Sequence, residues 1–279
     1  MSIKEIDWVS EFGKRSTFPG VRKAGSEESR AGWNERAKSF AKKKGRSGYV
    51  EQVIGMIDLA PGETVFDMGC GNGALAIPFA EAGHDVVAVD FSPVMLDTLC
   101  AEAKAKGVDS RIKTFNRSWQ EDWSDLPQAD VAISSRSFVT EDMADGIAKL
   151  EGQAKSRAVL SVGAGDRPFR DARILAAMGR EDKASEPPWE LMILANYLWS
   201  IGRYPRIGYA EYPGRSCREA REELVESIWQ MHAPENEAQE EALATYLDEH
   251  IVFDEVKQSW SLDYSREDRW GVLIWPIPR

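Results

Sequence analysis

The stretch Thr64-Val-Phe-Asp-Met-Gly-Cys-Gly-Asn-Gly73 decides how this chain folds. Its first half is a short apolar run carrying one carboxylate, and its second half places glycine at alternate positions, Gly69, Gly71 and Gly73. A short apolar run followed by glycines reads as a buried strand ending in a sharp turn. Glycine is useful there because the backbone can bend, or lie close to a ligand, with no Cβ in the way. Ala74 to Ala82 then reads as a helix, whose N-terminal N–H groups are free to meet a polar ligand.

Outward from this turn the pattern repeats. Asp85-Val-Val-Ala-Val-Asp90 is a buried strand, and Pro93 to Lys106 is a helix with proline in its first turn. Arg111 to Phe115, Ala129 to Ser134 and Arg157 to Val162 are further strands, with a helix over Asp142 to Ala154. Strands alternating with helices, each strand a near-continuous apolar run, imply a doubly wound α/β fold with a parallel sheet covered on both faces. Ligands of such sheets lie in the crevice at the strands' carboxyl ends.

On the amino-terminal side, Trp33, Ala37 and Phe40 share one face of a helix over about Glu28 to Lys44. Val50, Val53, Ile54 and Ile57 share a face of a second, which Pro61-Gly62 closes. After Gly163 the alternation stops. Residues Asp166 to Glu249 carry Pro187-Pro188, the aromatics Trp189, Tyr197, Trp199, Tyr204, Tyr209 and Tyr212, and an amphipathic helix around Arg218 to Trp229. This reads as an inserted cap, with most of Tyr197, Trp199, Tyr204 and Tyr209 forming its own core. Ile251 to Leu262 and Trp270 to Ile277 are spaced to pair as an antiparallel hairpin at the sheet edge. The expected division is a helical arm over 1–48, a core over 49–165 and 250–279, and the cap over 166–249.

Charge narrows the partners. Acidic residues outnumber basic ones 46 to 35 in 279 residues, a formal charge of -11, and an acidic surface repels phosphate backbones. Nucleic acid is disfavoured as a partner. The basic run Lys42-Lys-Lys44 with Arg46 reads as a solvated helix end. Cys70, Cys100 and Cys217 match neither a disulfide framework nor a metal site, so no metal is expected and a reducing, cytoplasmic setting is. No stretch has the ~20 apolar residues of a membrane span, and none is expected to contact a membrane.

Two acids sharpen the reading. Asp67 stands at the first strand's end, where a carboxylate attracts an ammonium group, and Asp90 ends the second strand, where a carboxylate accepts from ribose hydroxyls. Together they describe a nucleoside ligand bearing positive charge. The segment Asp67-Met-Gly-Cys-Gly-Asn-Gly73 resembles the first motif of the class I S-adenosylmethionine-dependent methyltransferases, an acid, one residue, then Gly-x-Gly-x-Gly. Asp90-Phe-Ser-Pro-Val-Met95 is similar to the family's second motif, at the usual separation. The resemblance covers about Val50 to Val162, with the terminal strand pair matching the family's sixth and seventh strands in order.

The resemblance implies a Rossmann-like, mostly parallel seven-stranded sheet, an N-terminal helical arm and a cap inserted between strands five and six. It further implies S-adenosyl-L-methionine as cofactor. By it, Asp67 and the turn Gly69, Cys70, Gly71, Asn72 and Gly73 would hold the methionine part, Asp90 the ribose, and Phe91 and Met95 the adenine. The acid the family often carries after the third strand is missing from Asn116-Arg-Ser-Trp-Gln120, so Ser118 or Trp119 would serve in its place. Trp33 and Tyr49 of the arm would close over the cofactor.

Ser134-Ser-Arg-Ser-Phe138 should emerge at the same carboxyl edge. Ser134 is a candidate to line the cofactor site, and Arg136 is the candidate catalytic residue, able to bind an anionic group of the substrate. His84 reads as a surface residue, while His232, His250 and Glu190 are weaker candidates for a base. Cys70 reads as a small side chain packed behind the turn. The expected activity is in-line methyl transfer to a small-molecule acceptor, by a chain that is a possible homodimer. Two alternatives stay open, a nicotinamide-dependent oxidoreductase and a non-catalytic S-adenosylmethionine-binding protein. Against the first, the turn is not Gly-x-Gly-x-x-Gly, and Asp67 would face a pyrophosphate.

Overall fold

The computed structural model describes residues 5–15, 26–40, 48–164, 171–180, 189–214 and 217–278; the basic run at Lys42–Lys44 and Arg46 lies outside them. The strand of the decisive stretch is β1 (Val65–Met68), buried at every position. β2 (Val86–Asp90) lies parallel on one side of it and β4 (Ala129–Ser135) on the other, which puts Asp67 level with Ala88 and Ile133. β3 (Ile112–Asn116) adds beyond β2, and β5 (Ala154–Gly163) beyond β4, both parallel. Helices α4 (Ala76–Glu81), α5 (Pro93–Ala105) and α6 (Met143–Gln153) belong to the crossovers.

The order β3-β2-β1-β4-β5 reverses direction between β1 and β4. That reversal is the switch point at which carboxyl ends diverge and leave a crevice. Val65, Phe66, Val89, Val131 and Ile133 are all completely buried here. Each such side chain contributes about 1.5–3 kcal/mol relative to exposure, which makes this half of the sheet a firm base for the site. On the amino-terminal side lie α1 (Trp8–Arg15), α2 (Glu27–Phe40) and α3 (Gly48–Ile57). α1, absent from the sequence reading, sets Phe12 edge-on against Phe138, with ring centres 6.0 Å apart.

The last two strands of the sheet depart from expectation. α8 (Trp189–Ser200) is followed by β6 (Arg206–Gly214), and β9 (Arg266–Pro276) lies between β5 and β6. The sixth strand therefore comes from the stretch read as cap, not from Ile251 to Leu262. Ala164 N–H donates to Arg269 and Ile277 N–H donates to Ser156, so β9 runs antiparallel to β5. β6 escapes a pattern reading because its inward positions are small. Gly208 and Ala210 face the interior, and a Cβ on Gly208 would sit 2.9 Å from the Met56 sulfur, while Ile207 and Tyr209 face solvent. Trp199, Tyr204 and Tyr209 are likewise exposed rather than the core of a cap.

The segment Ile251 to Leu262 is itself a hairpin. β7 (Ile251–Asp254) and β8 (Ser259–Leu262) form a separate two-stranded antiparallel sheet. The Asp254 carboxylate accepts the N–H groups of Val256 and Lys257, and Gln258 takes φ 49°, so the chain reverses where the sequence looks continuous.

The chain divides into two compact units whose boundaries shift from those expected. One comprises the described residues up to Val162, Trp189–Ala210 and those from Gly271 onward, so that the arm, α8 and the start of β6 belong with the cofactor-type sheet. The other takes residues from Gly163 to before Trp189 and Glu211–Trp270, and so interrupts the chain both before and after β6. Its α7 (Ala172–Ala177), α9 (Arg221–His232) and α10 (Glu237–His250) bury Ile174, Leu224, Ile228, Leu243 and Leu247 together.

Trp275 ties β9 into the first unit. Its indole N–H donates to Glu151 of α6 at 2.8 Å, and the same carboxylate pairs with Arg203 at 2.8 and 2.9 Å. Replacing Trp275 by Phe keeps most of the buried ring but removes a charge-assisted bond, and should cost about 1–3 kcal/mol in urea unfolding. Unchanged stability would show that this bond does not hold β9 in place.

Candidate functional site

The turn between β1 and α4 is built from left-handed backbone. Gly69, Gly71 and Gly73 have φ of 74°, 55° and 88°, conformations that strain any residue with a Cβ. The N–H groups of Gly69 and Cys70 both donate to the Val89 carbonyl, at 2.7 and 3.0 Å, and Gly73 N–H donates to Cys70 at 3.0 Å. The turn is thus stitched to the end of β2. A Cβ on Gly71 would meet nothing within 4 Å, so the middle of the turn faces open space, with Asn72 half-buried beside it.

Asp90 ends β2 and reaches back to this turn. Its Oδ2 accepts Gly71 N–H at 2.9 Å, its Oδ1 accepts Ser92 N–H at 2.9 Å, and its carbonyl accepts the Asn116 side-chain amide at 2.8 Å. Each carboxylate oxygen keeps a further lone pair for a ligand. Ser92 caps α5 by accepting Met95 N–H at 3.2 Å, and its hydroxyl donates to Asn34 of α2 at 2.6 Å. Phe91 is half-buried there and Met95 is buried.

Asp67 is the electrostatic anomaly of the site. It is buried, and among the described residues no hydrogen bond or ion pair reaches its carboxylate. Burial, and secondarily the charge of Asp90, push its pKa up to about 7. Asp90 is raised as well by burial, with the N–H groups of Ser92 and Gly71 pulling the other way. Two buried acids so close together are costly as charges, and a cation beside them would offset that cost.

The end of β4 closes the other side. Ser137 donates its hydroxyl to the Met68 carbonyl at 2.8 Å and shares a 2.9 Å bond with Ser134. A Cβ on Gly69 would overlap the Ser137 side chain, so the glycine is there for close approach as well as for its φ. Arg136 takes φ 57°, its N–H donating to the Ser161 carbonyl at 3.0 Å. Its guanidinium lies over the Tyr49 ring, 4.1 Å from the centroid, and the Tyr49 hydroxyl is bonded to Ser135 and Ser161, each at 2.6 Å.

Comparison with known proteins now decides the family. The model of a methyltransferase domain matches residues 65–152, the span that holds β1 to α6 and both acids. An uncharacterized protein of Haemophilus influenzae is 32% identical over 235 residues, 84% of this chain and 83% of that one. The trans-aconitate 2-methyltransferase of Rhodococcus jostii is 32% identical over 102 residues, 36% of each chain. Among solved structures, a Bacillus halodurans protein provisionally assigned as a methyltransferase aligns over 82% of this chain and 99% of its own, with a TM-score of 0.52 at 13% identity. The chain belongs to the class I S-adenosylmethionine-dependent methyltransferases.

The cofactor of this family is S-adenosylmethionine, and the residues present suit it: an open glycine turn, an unpaired buried carboxylate for a cation and a braced second carboxylate for a ribose. Asp67, Gly69, Cys70, Gly71, Asn72, Gly73, Asp90, Phe91 and Met95 all gather at the ends of β1 and β2, as the motifs implied. Other expected residues lie elsewhere. Ser134 is fully buried, its hydroxyl bonded to that of Ser137 at 2.9 Å. Tyr49 does not line an open cleft; it is buried beneath Arg136 with its hydroxyl held by two serines. Trp33 is half-buried, and it is its neighbour Asn34 that reaches the α5 cap.

Ser118 and Trp119 stand in the loop after β3, beside Arg117, whose N–H donates to the Asp90 carbonyl at 3.2 Å. Ser118 N–H donates to Glu121, and its carbonyl accepts from the Trp123 indole. The Trp119 indole donates to Ser137 at 2.7 Å, its carbonyl accepts from Lys149, and its ring packs on Phe138. Cys70 is buried, and burial pushes its thiol well above the ordinary value, so it stays protonated. His84 is not a surface residue but buried, bonded to the Glu63 carbonyl at 2.8 Å. His232, in the other unit, accepts Asp171 N–H at Nε2 and donates from Nδ1 to Ile228, which leaves neither nitrogen for a base.

Ser137, Asn34 and Asn116 were absent from the expected site. Ser137 had a signal, standing three residues beyond Ser134 at a strand end, but nothing in the sequence pairs Asn34 or Asn116 with β2. Two expectations follow from this geometry. Gly69→Ala should destabilise the protein by about 1–3 kcal/mol, and Ser137→Gly in the same chain should recover part of that loss; additive effects in denaturant would break the link between turn and β4. Asp67 holds a proton in the native state that the unfolded chain has already released, so stability is lost as pH rises from the ordinary carboxylate range through about 7. Asp67→Asn should abolish that loss between about pH 4 and about pH 7, measured by urea unfolding at each pH.

Proposed function

We propose that the chain is an enzyme that transfers the methyl group of S-adenosylmethionine to a small-molecule acceptor held at the carboxyl edge of the sheet. The observation that carries this reading is the buried, uncompensated Asp67 beside an open glycine turn, with Asp90 braced by Gly71 and Ser92. When bound, the cofactor supplies an electrophilic methyl on a cationic sulfur whose displacement leaves a neutral thioether. In this reading Asp67 draws the cofactor's ammonium end into the turn, Asp90 accepts from the ribose hydroxyls, and Phe91 and Met95 flank the adenine.

The protein's part is then chiefly positioning and exclusion of water, which is sufficient where the nucleophile needs no deprotonation. The acidic surface, at a formal charge of -11, supports a small acceptor over a polyanion. The Rhodococcus relative, whose name gives trans-aconitate as its acceptor, is in keeping with a small molecule. The nicotinamide alternative has no support from the family or from the turn.

Calorimetric titration with S-adenosylmethionine, S-adenosylhomocysteine and NAD in parallel tests the reading. Both sulfur nucleosides should bind and NAD should not, and Asp90→Ala should weaken nucleoside binding by about 1–3 kcal/mol. NAD binding alone would overturn it. Binding of the sulfur nucleosides without release of S-adenosylhomocysteine, on incubation with small-molecule extracts, would favour a non-catalytic binding protein.

A further inference from the structure

α8 carries a single charged residue, Glu190, and that one is buried. Leu191, Leu194 and Leu198 are buried as well, and a Cβ on Gly271 of β9 would overlap Leu191, so this side of the helix lies on the sheet. The side left open to solvent is apolar too. Met192 and Trp199, two turns apart on one stripe, are each just over half exposed, and the Trp199 ring meets that of Tyr204, 69% exposed, edge-on at 5.8 Å. A helix that is apolar on every side belongs to an interior, whereas a solvated stripe carries charge.

The chain then enters β6, the last strand of the sheet, with β9 on one side of it. Ile207 and Tyr209 are exposed on its outward face. A terminal strand presents an edge that a further strand can take up, and natural sheets protect such edges with charges or proline. From Ile207 to Ala210 there is neither. Residues 191–210 also hold no Asp or Glu, in a chain where the two make up 46 of 279 residues. The charges in that run are Arg203, which pairs with Glu151, and Arg206, which donates to the Met56 carbonyl.

We infer that a second copy of this chain docks here, its β6 pairing antiparallel with this one about a twofold axis through Gly208. Three features select a second copy. That axis sets Ile207 of one copy opposite Tyr209 of the other, twice, a β-branched and aromatic pairing that stabilises sheets, and it brings no like charges face to face. At a formal charge of -11 two copies repel over most of their surface, and this acid-free face is where they can meet. Taking about 200 Å² for a large side chain, Met192, Trp199, Tyr204, Ile207 and Tyr209 open on the order of 500 Å² per copy, which the paired strand backbones bring towards the roughly 800 Å² per partner of a stable interface. The pairing joins two sheets into one and stays clear of both glycine turns, since β1 lies four strands from β6, about 19 Å.

Sedimentation velocity of the full chain, from about 1 to about 100 μM, should show a species of twice the chain mass that gives way to single chains on dilution. Ile207→Lys sets a charge against Tyr209 at both ends of the pairing; it should keep cooperative urea unfolding while raising the dimer dissociation constant about a hundredfold or more. Trp199→Gln, on the same face but off the strand, should raise it about tenfold. In a Cys100→Ser, Cys217→Ser background, chains carrying Ile207→Cys should form a disulfide with chains carrying Tyr209→Cys faster than either forms one with its own kind, because only the unlike pair lies directly opposite. A single chain mass at about 100 μM, a dimer that Ile207→Lys leaves unaltered, or like chains cross-linking as fast as unlike ones would overturn the inference. If Ile207→Lys loses cooperative unfolding, the cross-linking comparison decides by itself.

Discussion

The Asp90 carboxylate is the joint on which the site hangs. One oxygen holds the N–H of Gly71 in the turn after β1, and the other holds the N–H of Ser92 at the head of α5. A single side chain therefore sets the spacing between the two loops that frame the crevice. Its burial is costly for a charged group, and the backbone donors only partly offset that cost. Because both donors are backbone groups, the arrangement depends on Gly71 holding its left-handed φ of 55° and on Ser92 adopting the extended conformation of a helix cap.

Beside that joint lies a second buried acid. Asp67 sits level with the centre of β2 and β4, too deep for solvent to stabilise its charge and near enough to Asp90 to be raised further. A structural role would give such an acid a partner from the chain. Among the described residues none reaches the Asp67 carboxylate, which is what the proposed role of drawing in a cationic ligand requires. The backbone differs at the two sides of the crevice: Gly69, Gly71 and Gly73 take positive φ freely because they have no Cβ, whereas Arg136 at φ 57° is held there by surrounding contacts.

The β4 side shows how the fold transmits position without touching a ligand. Ser134 is buried, Ser137 bridges it to the Met68 carbonyl, and the Trp119 indole holds the Ser137 carbonyl in turn. These contacts join β4, the glycine turn and the loop after β3 into one frame. Phe138, packed between Phe12 and Trp119, extends it to the first helix.

Local sequence determined the parallel half of the sheet, β1 to β5, because β1, β2, β4 and the second half of β5 are apolar runs that announce themselves without knowledge of their neighbours, and the mixed β3 is legible from its place in the alternation. It also determined the glycine turn and both acids, since each stands at or next to the carboxyl end of a strand that the sequence marks. What the tertiary structure alone decided are the features that join distant residues: β6 filling the sixth place with Gly208 and Ala210 inward, Asn34 meeting Ser92, and Tyr49 lying under Arg136. The reason is physical. A strand whose buried face is made of small residues has no hydrophobic period to read, and a hydrogen bond between residues far apart in sequence has no local propensity at either end. Their positions follow from packing, which only the assembled chain specifies.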